Sequence, residues 1–380
     1  MKKICHIGGT TLPGGGPEHI YQLSKRLNRN EWDIIICTLK DGPYWDKLNL
    51  IGIKTYNLLF RKLLLSTPFK LFFILKKEKP DIVHTHGKGP GLYGRILGKI
   101  LNIPVIHTYH GFHYENLPRL KQYLHLIVEN FLALITKQHI FVSNGERDKA
   151  RVIKFLDEEN STIIHNGVDY EYIENLNIKR EAILQSIGCL SWKNSSLIGT
   201  ISRLSPEKGI INLLLAFHEV IKKKKNLRLI IIGGYPEEHK NYYLSIKRLI
   251  EEKGLSEHVR ILGYRSDALK ILKCLDIYIS ASLSEGLPIS ILEALASKIP
   301  TIATDIKGNK DILRNTVFGL LVKPNSTVSL AEGVIKMTQL SQKERVIMTH
   351  NAHNRIKNNF SINEMVNKTT LLYNLVLHSK

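Results

Sequence analysis

The chain has 380 residues, a length that favours two domains, each large enough for its own core. Its apolar share of 43% and charged share of 23% are those of an ordinary soluble globular chain, and no apolar run is long enough to span a bilayer. The net charge of +20 is the unusual number and calls for an anionic partner: nucleic acid, an anionic membrane or an anionic substrate.

Met1-Lys2-Lys3 runs straight into a short strand, Ile4 to Ile7, with no signal-peptide pattern. Cys5, Cys37, Cys189 and Cys274 lie singly among apolar residues, which predicts reduced, buried thiols of a cytoplasmic protein rather than a zinc site or a disulfide framework. The first strand enters a loop from Gly8 to Glu18 rich in glycine, and from Pro17 onward Ile20, Leu23, Ser24 and Leu27 make a helical stripe. Such a loop lets backbone approach a ligand closely and can cradle an anion, although a flexible turn explains it equally well. It is no Walker loop, since Gly-Lys-Ser/Thr is missing.

Strands and helices then alternate: Ile34 to Thr38, Ile53 to Tyr56, a helix over Pro68 to Lys79, Ile82 to Thr85, a helix over Gly89 to Leu101, and Val105 to Thr108. That rhythm predicts a parallel sheet with helices on both faces and ligands at the carboxyl ends of its strands. Tyr109-His110-Gly111-Phe112-His113-Tyr114 falls at such an end. Leu58 to Lys79 mixes Leu and Phe with Arg61, Lys62, Lys70, Lys76, Lys77 and Lys79. This pattern fits an anionic membrane surface or a core-facing helix with a wet basic side. A helix over Leu120 to Lys137, a strand over Ile140 to Ser143 and a strand with its turn over Ile163 to Asp169 follow, and polar sequence from Tyr170 to Ser195 reads as a crossover.

A second alternation begins with Leu197 to Ser202, then Arg203-Leu204-Ser205-Pro206-Glu207-Lys208-Gly209 and an apolar helix over Ile210 to Ile221. A cation at a helix start opposes the dipole, so Arg203 and Lys208 are better explained by an anion shared between them. Lys222 to Lys225 closes that helix and reads as a solvated last turn rather than a nucleic-acid patch. Further on, Ile277, Ile279 and Ala281 alternate with Tyr278, Ser280 and Ser282 as a short buried strand. Glu285-Gly286-Leu287-Pro288 then leads into a helix over Ile289 to Ser297, stopped by Pro300. The N–H groups at its start, around Ile289 and Ser290, suit a phosphate. Glu285, just before them, and Glu293, about two turns on, suit ligand hydroxyls, so the stretch as a whole suits a phosphorylated polyol. The bland alternative is a turn cap and a partly buried helix acid.

Glu285 and Glu293 with Gly-Leu-Pro between them resemble the signature of retaining glycosyltransferases of family four, and nearly the whole chain follows that resemblance. It implies a GT-B fold: two Rossmann-like α/β domains whose parallel sheets face across a cleft, over residues 1–170 and 171–360, with a C-terminal helix over 361–380 crossing back to the first. Gly15-Gly16-Pro17-Glu18 matches the family's Gly-Gly-x-Glu, and His110-Gly111 its His-Gly pair, whose histidine faces the donor sugar. Asn166-Gly167-Val168-Asp169 matches the Asn-Gly-Val-Asp that ends the first domain. Arg203 and Lys208 match its diphosphate clamp, and Gly263 and Tyr264 the turn whose backbone reads the base. Gly233-Gly234-Tyr235 departs from the usual Gly-x-Gly. The run from His110 to Tyr114 resembles the subgroup that builds capsule, O-antigen and other envelope glycans on lipid-linked acceptors.

The resemblance thus implies transfer of a hexose or N-acetylhexosamine from a UDP-sugar, with the anomeric configuration kept, by a cytoplasmic enzyme peripheral to the membrane. Arg203, Lys208, Glu285 and His110 would act at the reacting bond, and Gly15, Gly16, Gly263, Tyr264, Gly286, Leu287, Ile289, Ser290 and Glu293 would hold the nucleotide sugar. No Asp-x-Asp occurs, so neither metal nor cofactor is expected. The rival readings are a non-hydrolysing nucleotide-sugar epimerase of the same architecture, an inactive homologue, and a nucleic-acid-binding protein, for which no basic helix with interleaved aromatics stands out.

Overall fold

A computed structural model of the chain describes residues 1–60, 66–112, 118–156, 159–314 and 316–378. The elements run β1 (Lys2–Ile7), α1 (Gly15–Arg26), β2 (Trp32–Thr38), α2 (Tyr44–Leu50), β3 (Lys54–Asn57), α3 (Ser66–Glu78), β4 (Ile82–His86), α4 (Lys88–Ile100), β5 (Val105–Tyr109), α5 (Arg119–Leu134), β6 (Gln138–Phe141), α6 (Asn144–Ala150) and β7 (Ser161–Ile163). Next come α7 (Tyr170–Asn175), α8 (Arg180–Ser186), β8 (Ser196–Ile201), α9 (Ile210–Lys223), β9 (Leu227–Ile232), α10 (Lys240–Glu252), β10 (Val259–Ile261), α11 (Ala268–Leu272) and β11 (Ile277–Ser280). The chain closes with α12 (Ile289–Ala296), β12 (Thr301–Thr304), α13 (Lys307–Leu313), β13 (Leu320–Val322), α14 (Thr327–Gln339), α15 (Gln342–Asn359) and α16 (Ile362–His378).

These elements form two compact units, Met1–Gly167 with Ile362–Lys380, and Val168–Ser361. In the first, seven strands lie in the order β3-β2-β1-β4-β5-β6-β7, and in the second, six lie in the order β10-β9-β8-β11-β12-β13. All the pairings between these strands are parallel. Each sheet is doubly wound, and its strand order reverses between β1 and β4 or between β8 and β11, the place where such sheets bind ligands.

Side-chain alternation builds the two faces of the first sheet. Ile4, Ile34 and Ile36 pack on one side with α1 and α16, while Cys5, Ile7, Ile35 and Cys37 pack on the other with Leu71 and Leu75 of α3. All four cysteines are free and buried, and the β1–β2 pairing sets Cys5 and Cys37 Sγ atoms 3.9 Å apart. The C-terminal helix α16 joins the first core through Met365, Val366, Leu372, Tyr373 and Val376. The second sheet is clasped by α9 and α14 over Leu213, Phe217, Leu330 and Val334.

Several boundaries differ from the sequence pattern. α1 begins at Gly15, because a proline in a first helical turn lacks only an N–H that has no partner there. β7 stops at Ile163, and of the residues that follow only Val168 forms a bridge, to Ser361. The polar stretch after Tyr170 carries two short helices, α7 and α8, whose single buried apolar anchors, Ile173 and Leu184, are too few to show a period. His113, Tyr114, Arg61 and Lys62 lie outside the described residues.

Candidate active site

The second unit gathers charge at the carboxyl ends of β8 and β11. After β8 the chain passes Arg203 and makes a short turn, Pro206–Lys208, which Gly209 ends at φ +65°. A Cβ on Gly209 would lie 2.1 Å from the carbonyl oxygen of Ala281, so only glycine lets this turn press against the residues after β11. Leu283 N–H donates to the Glu207 carbonyl at 2.8 Å across that contact. The same approach puts Lys208 Nζ 2.6 Å from Glu285 Oε1, and Ser282 Oγ donates to that oxygen at 2.7 Å. Both charged side chains are only 14% exposed. Arg203 is half exposed, with Nη2 3.5 Å from Glu207 Oε1, which also accepts from Ser205 Oγ at 2.5 Å. Burial would push the Glu207 carboxyl up, but the Ser205 hydroxyl, its own backbone N–H and the Arg203 and Lys208 charges together hold it below its ordinary range.

α12 starts beside this cluster, with Pro288 as its cap residue and no capping side chain on the N–H groups of Ile289 and Ser290. Ser290 Oγ accepts from Tyr278 OH at 2.8 Å, and burial raises the Tyr278 phenol well above its ordinary value, with the Glu285 and Glu293 charges adding to the rise. Glu293 is partly buried on α12, and Leu287 is buried. Gly286 is held from behind: α13 brings Gly308 so close that a Cβ there would lie 2.5 Å from the Gly286 carbonyl oxygen. Gly263 and Tyr264 follow β10, two strands out from β8. Gly233 N–H donates to the Gly263 carbonyl at 2.8 Å, and Leu204 N–H donates to the Gly234 carbonyl at 2.8 Å, so the Gly233 loop joins the Gly263 loop to the Arg203 loop. Gly233 has φ +144°, and a Cβ on it would lie 1.8 Å from the Ser202 carbonyl oxygen.

Of the residues singled out in this half of the sequence, Lys208 and Glu285 thus meet directly, and Arg203 reaches the same cluster through Glu207. The sequence reading did not single out Ser205, Ser282 or Tyr278. Ser282 was legible as a polar position of the alternating run that precedes Glu285, and it is buried in the structure.

The first unit carries a separate cavity of about 600 Å³, within the usual range for a ligand pocket of roughly 300–1,000 Å³. It opens at the carboxyl ends of β1 and β4 and is lined by Gly9, Gly16, His86, Lys88, His110 and Glu129 among others. Gly16 and His110 meet there, a Cβ on the glycine lying 3.8 Å from the imidazole, whereas Gly15 opens α1 just outside the lining. His110 belongs to a larger set. His6 Nδ1 and His86 Nε2 are 3.0 Å apart, and His86 Nδ1 and His110 Nε2 are 3.1 Å apart. His84 is held by Tyr373 OH at 2.6 Å and Thr108 Oγ1 at 2.7 Å. Burial lowers the pKa of each, to about 3 for His6 and about 4 for His19, so these imidazoles are neutral at physiological pH. His84 and His86 share one side of β4 through their i, i+2 spacing. That spacing was the sequence signal for the cluster.

Both doubly wound sheets carry polar loops at their switch points, where sheets of this kind bind ligands. Two family models match in succession, Glycosyltransferase Family 4 over residues 13–172 and Glycosyl transferases group 1 over residues 190–355. The chain belongs to this family of glycosyltransferases, and its fold is GT-B. It is 29% identical to the UDP-Gal:alpha-D-GlcNAc-diphosphoundecaprenol alpha-1,3-galactosyltransferase of Escherichia coli, with 98% of this chain and 96% of that protein aligned. It is 24% identical to the capsular polysaccharide biosynthesis glycosyltransferase CapM of Staphylococcus aureus over 82% of this chain and 81% of that one. Among solved structures, a glycosyltransferase from Rickettsia africae superposes with a TM-score of 0.83 at 25% identity, covering 100% of this chain and 99% of that chain. Anabaena HepE in complex with UDP-glucose superposes at 0.85 and 19% identity, covering 100% of each, a likeness of fold.

Proposed function

We propose that the protein transfers a hexose or N-acetylhexosamine from a UDP-sugar to a lipid-linked saccharide, with the anomeric configuration kept. The observation that carries this reading is the cluster of Arg203, Glu207, Lys208, Ser282 and Glu285 beside the uncapped start of α12. In the reaction the bond from the anomeric carbon to the diphosphate breaks, a bond to the acceptor oxygen forms, and the acceptor hydroxyl proton leaves on the diphosphate. Negative charge grows on that leaving group. Arg203, Lys208 and the N–H groups of Ile289 and Ser290 stabilise it, with no divalent metal bridging the phosphates. Glu285 takes sugar hydroxyls, Glu293 the ribose, and Gly263 and Tyr264 the base, while Gly286 and Leu287 shape the turn. On the first unit, Gly15, Gly16 and His110 serve the sugar and the acceptor beside the cavity. The relatives that build a diphosphoundecaprenol-linked glycan and a capsule support the acceptor class.

A lipid-linked acceptor supports a peripheral position for the enzyme on the inner face of the cell membrane. Among the described residues no helix is long and apolar enough to cross a bilayer. The described part of the basic-apolar stretch puts Leu58, Phe60, Leu71 and Leu75 in the core and leaves Phe69 and Phe73 exposed beside Lys70, Lys76 and Lys77. α5 adds a broader face: Leu120, Tyr123, Leu124, Ile127, Phe131 and Leu134 are all exposed at helical spacing, with Arg119 and Lys121 at its start. Apolar side chains rimmed by cations suit an anionic lipid surface.

The deciding experiment incubates the protein with UDP-galactose, UDP-glucose and UDP-N-acetylhexosamines and with a polyprenyl-diphosphate-linked saccharide, then identifies the product by mass and its linkage by NMR. One donor should extend the acceptor, without added Mg²⁺ or Mn²⁺. An isomerised donor with no acceptor consumed would instead establish the epimerase reading, and neither product nor released UDP from any donor would overturn both.

A further inference from the structure

We propose that His19, His86 and His110, all on the first unit, form a binding site for one divalent d-block cation of the zinc class. One ligand nitrogen from each of the three lies within 4.8 Å of the other two. They come from three elements: His19 from α1, His86 from the end of β4 and His110 from the loop after β5. No acid competes within the set, and three imidazoles suit zinc, copper or nickel rather than magnesium or calcium.

The decisive feature is His19. It is 2% exposed, and its Nδ1–H donates to Asn166 Oδ1 at 3.0 Å. That bond fixes the tautomer, leaving the Nε2 lone pair turned into the cluster, where it is buried with no hydrogen-bond partner. An imidazole whose far nitrogen is held by a carbonyl-type oxygen while the near one is bare is the arrangement of metal-ligating histidines. His86 and His110 share a single proton between nitrogens 3.1 Å apart. Nitrogens that each hold a zinc ion at about 2.0–2.1 Å need nearly this separation, so small ring rotations exchange the proton for the ion. The second triplet, His6, His84 and His86, is less suited, because both ring nitrogens of His84 are already taken by Tyr373 and Thr108. His86 and His110 also line the cavity, so the ion would keep a position on that side for an oxygen ligand.

The test uses the full chain without an affinity tag, freed of metal and titrated with Co²⁺ and Zn²⁺. Expected are one ion per chain, visible absorption bands of tetrahedral Co²⁺ that Zn²⁺ displaces, and a higher melting temperature with zinc. His19→Gln should weaken binding at least 100-fold, and Asn166→Ala, which frees the tautomer without removing a ligand, about 10–100-fold. His350→Gln, on the second unit, should change nothing. Absence of the cobalt bands in the wild-type protein overturns the proposal whether or not the variants fold. So does equal binding by folded wild type and His19→Gln, which would mean adventitious surface sites around a histidine cluster bridged by water.

Discussion

The ion pair between Lys208 and Glu285 sets a problem that a double substitution can resolve. The Lys208 ammonium is answered by a carboxylate at 2.6 Å. For Lys208 to serve the diphosphate, Glu285 must turn to the sugar hydroxyls as the donor enters. Lys208→Met strands Glu285 in a site where it was 14% exposed. A fully buried pair broken in this way loses about 3–5 kcal/mol, and the partial exposure here brings the expected loss to about 2–3 kcal/mol. The variant with Glu285→Gln as well removes the stranded charge and should recover most of that stability, a coupling well above the ~0.5 kcal/mol of independent sites. Turnover should behave differently. Losing a donor to the leaving group costs about 2.7–4 kcal/mol, or roughly 10²–10³ in kcat, and neutralising Glu285 cannot restore it. Urea unfolding and UDP release, measured on wild type, both single variants and the double, separate the two effects. If turnover returned with stability in the double variant, Lys208 would act only by holding Glu285, and its place at the diphosphate would be refuted.

Other consequences are simpler to read. Arg203→Ala should lower kcat by roughly 10²–10³ with little change in melting temperature, since an exposed pair like the one with Glu207 is worth at most about 1 kcal/mol. Gly209→Ala, forced to φ +65° with its methyl 2.1 Å from a carbonyl oxygen, should cost several kcal/mol, more than the ~1–2 of the backbone conformation alone, and urea unfolding will show it. The Lys54 ammonium, then the Tyr56 hydroxyl and Lys3, hold the Glu78 carboxyl at about 2 against an ordinary 4.5. A depressed acid stabilises the fold fully above the unfolded value and loses that contribution as pH falls through the folded one. Glu78→Gln should therefore destabilise by about 1 kcal/mol at neutral pH, discounted because Lys54 is more than half exposed, with the difference vanishing between pH 4.5 and 2 in melting curves. Leu124→Ser with Phe131→Ser on α5 should reduce sedimentation with vesicles containing anionic lipid while leaving the melting temperature unchanged, and full retention of vesicle binding would remove α5 from the membrane face.

What could be read without coordinates was whatever is local. The run from Ile277 to Pro300 carries its own strand alternation, its own turn residues and its own stop, so β11 and α12 fall almost where the pattern put them. The alternation of short apolar runs with helices likewise required parallel sheets. Pairing is another matter. Lys208 and Glu285 are 77 positions apart, and they touch because β11 lies beside β8 rather than beside β10, an order that no pattern within either strand encodes.

The same limit explains the histidines. His84 and His86 advertise a shared side of β4, but which side, and that β1 would set His6 against it while α1 supplied His19, follows from the parallel register and the helix crossing. His110 was read from its neighbour in sequence, Gly111, as a group for the sugar. In the structure its ring stacks on His86 with centroids 5.3 Å apart and meets His19 at 4.9 Å. Residues chosen one at a time for a role in chemistry therefore arrive already bonded to partners, at Lys208 to an acid and at His110 to another imidazole. Each role must be won from a standing contact, which is why replacing Glu285 together with Lys208 discriminates better than replacing Lys208 alone.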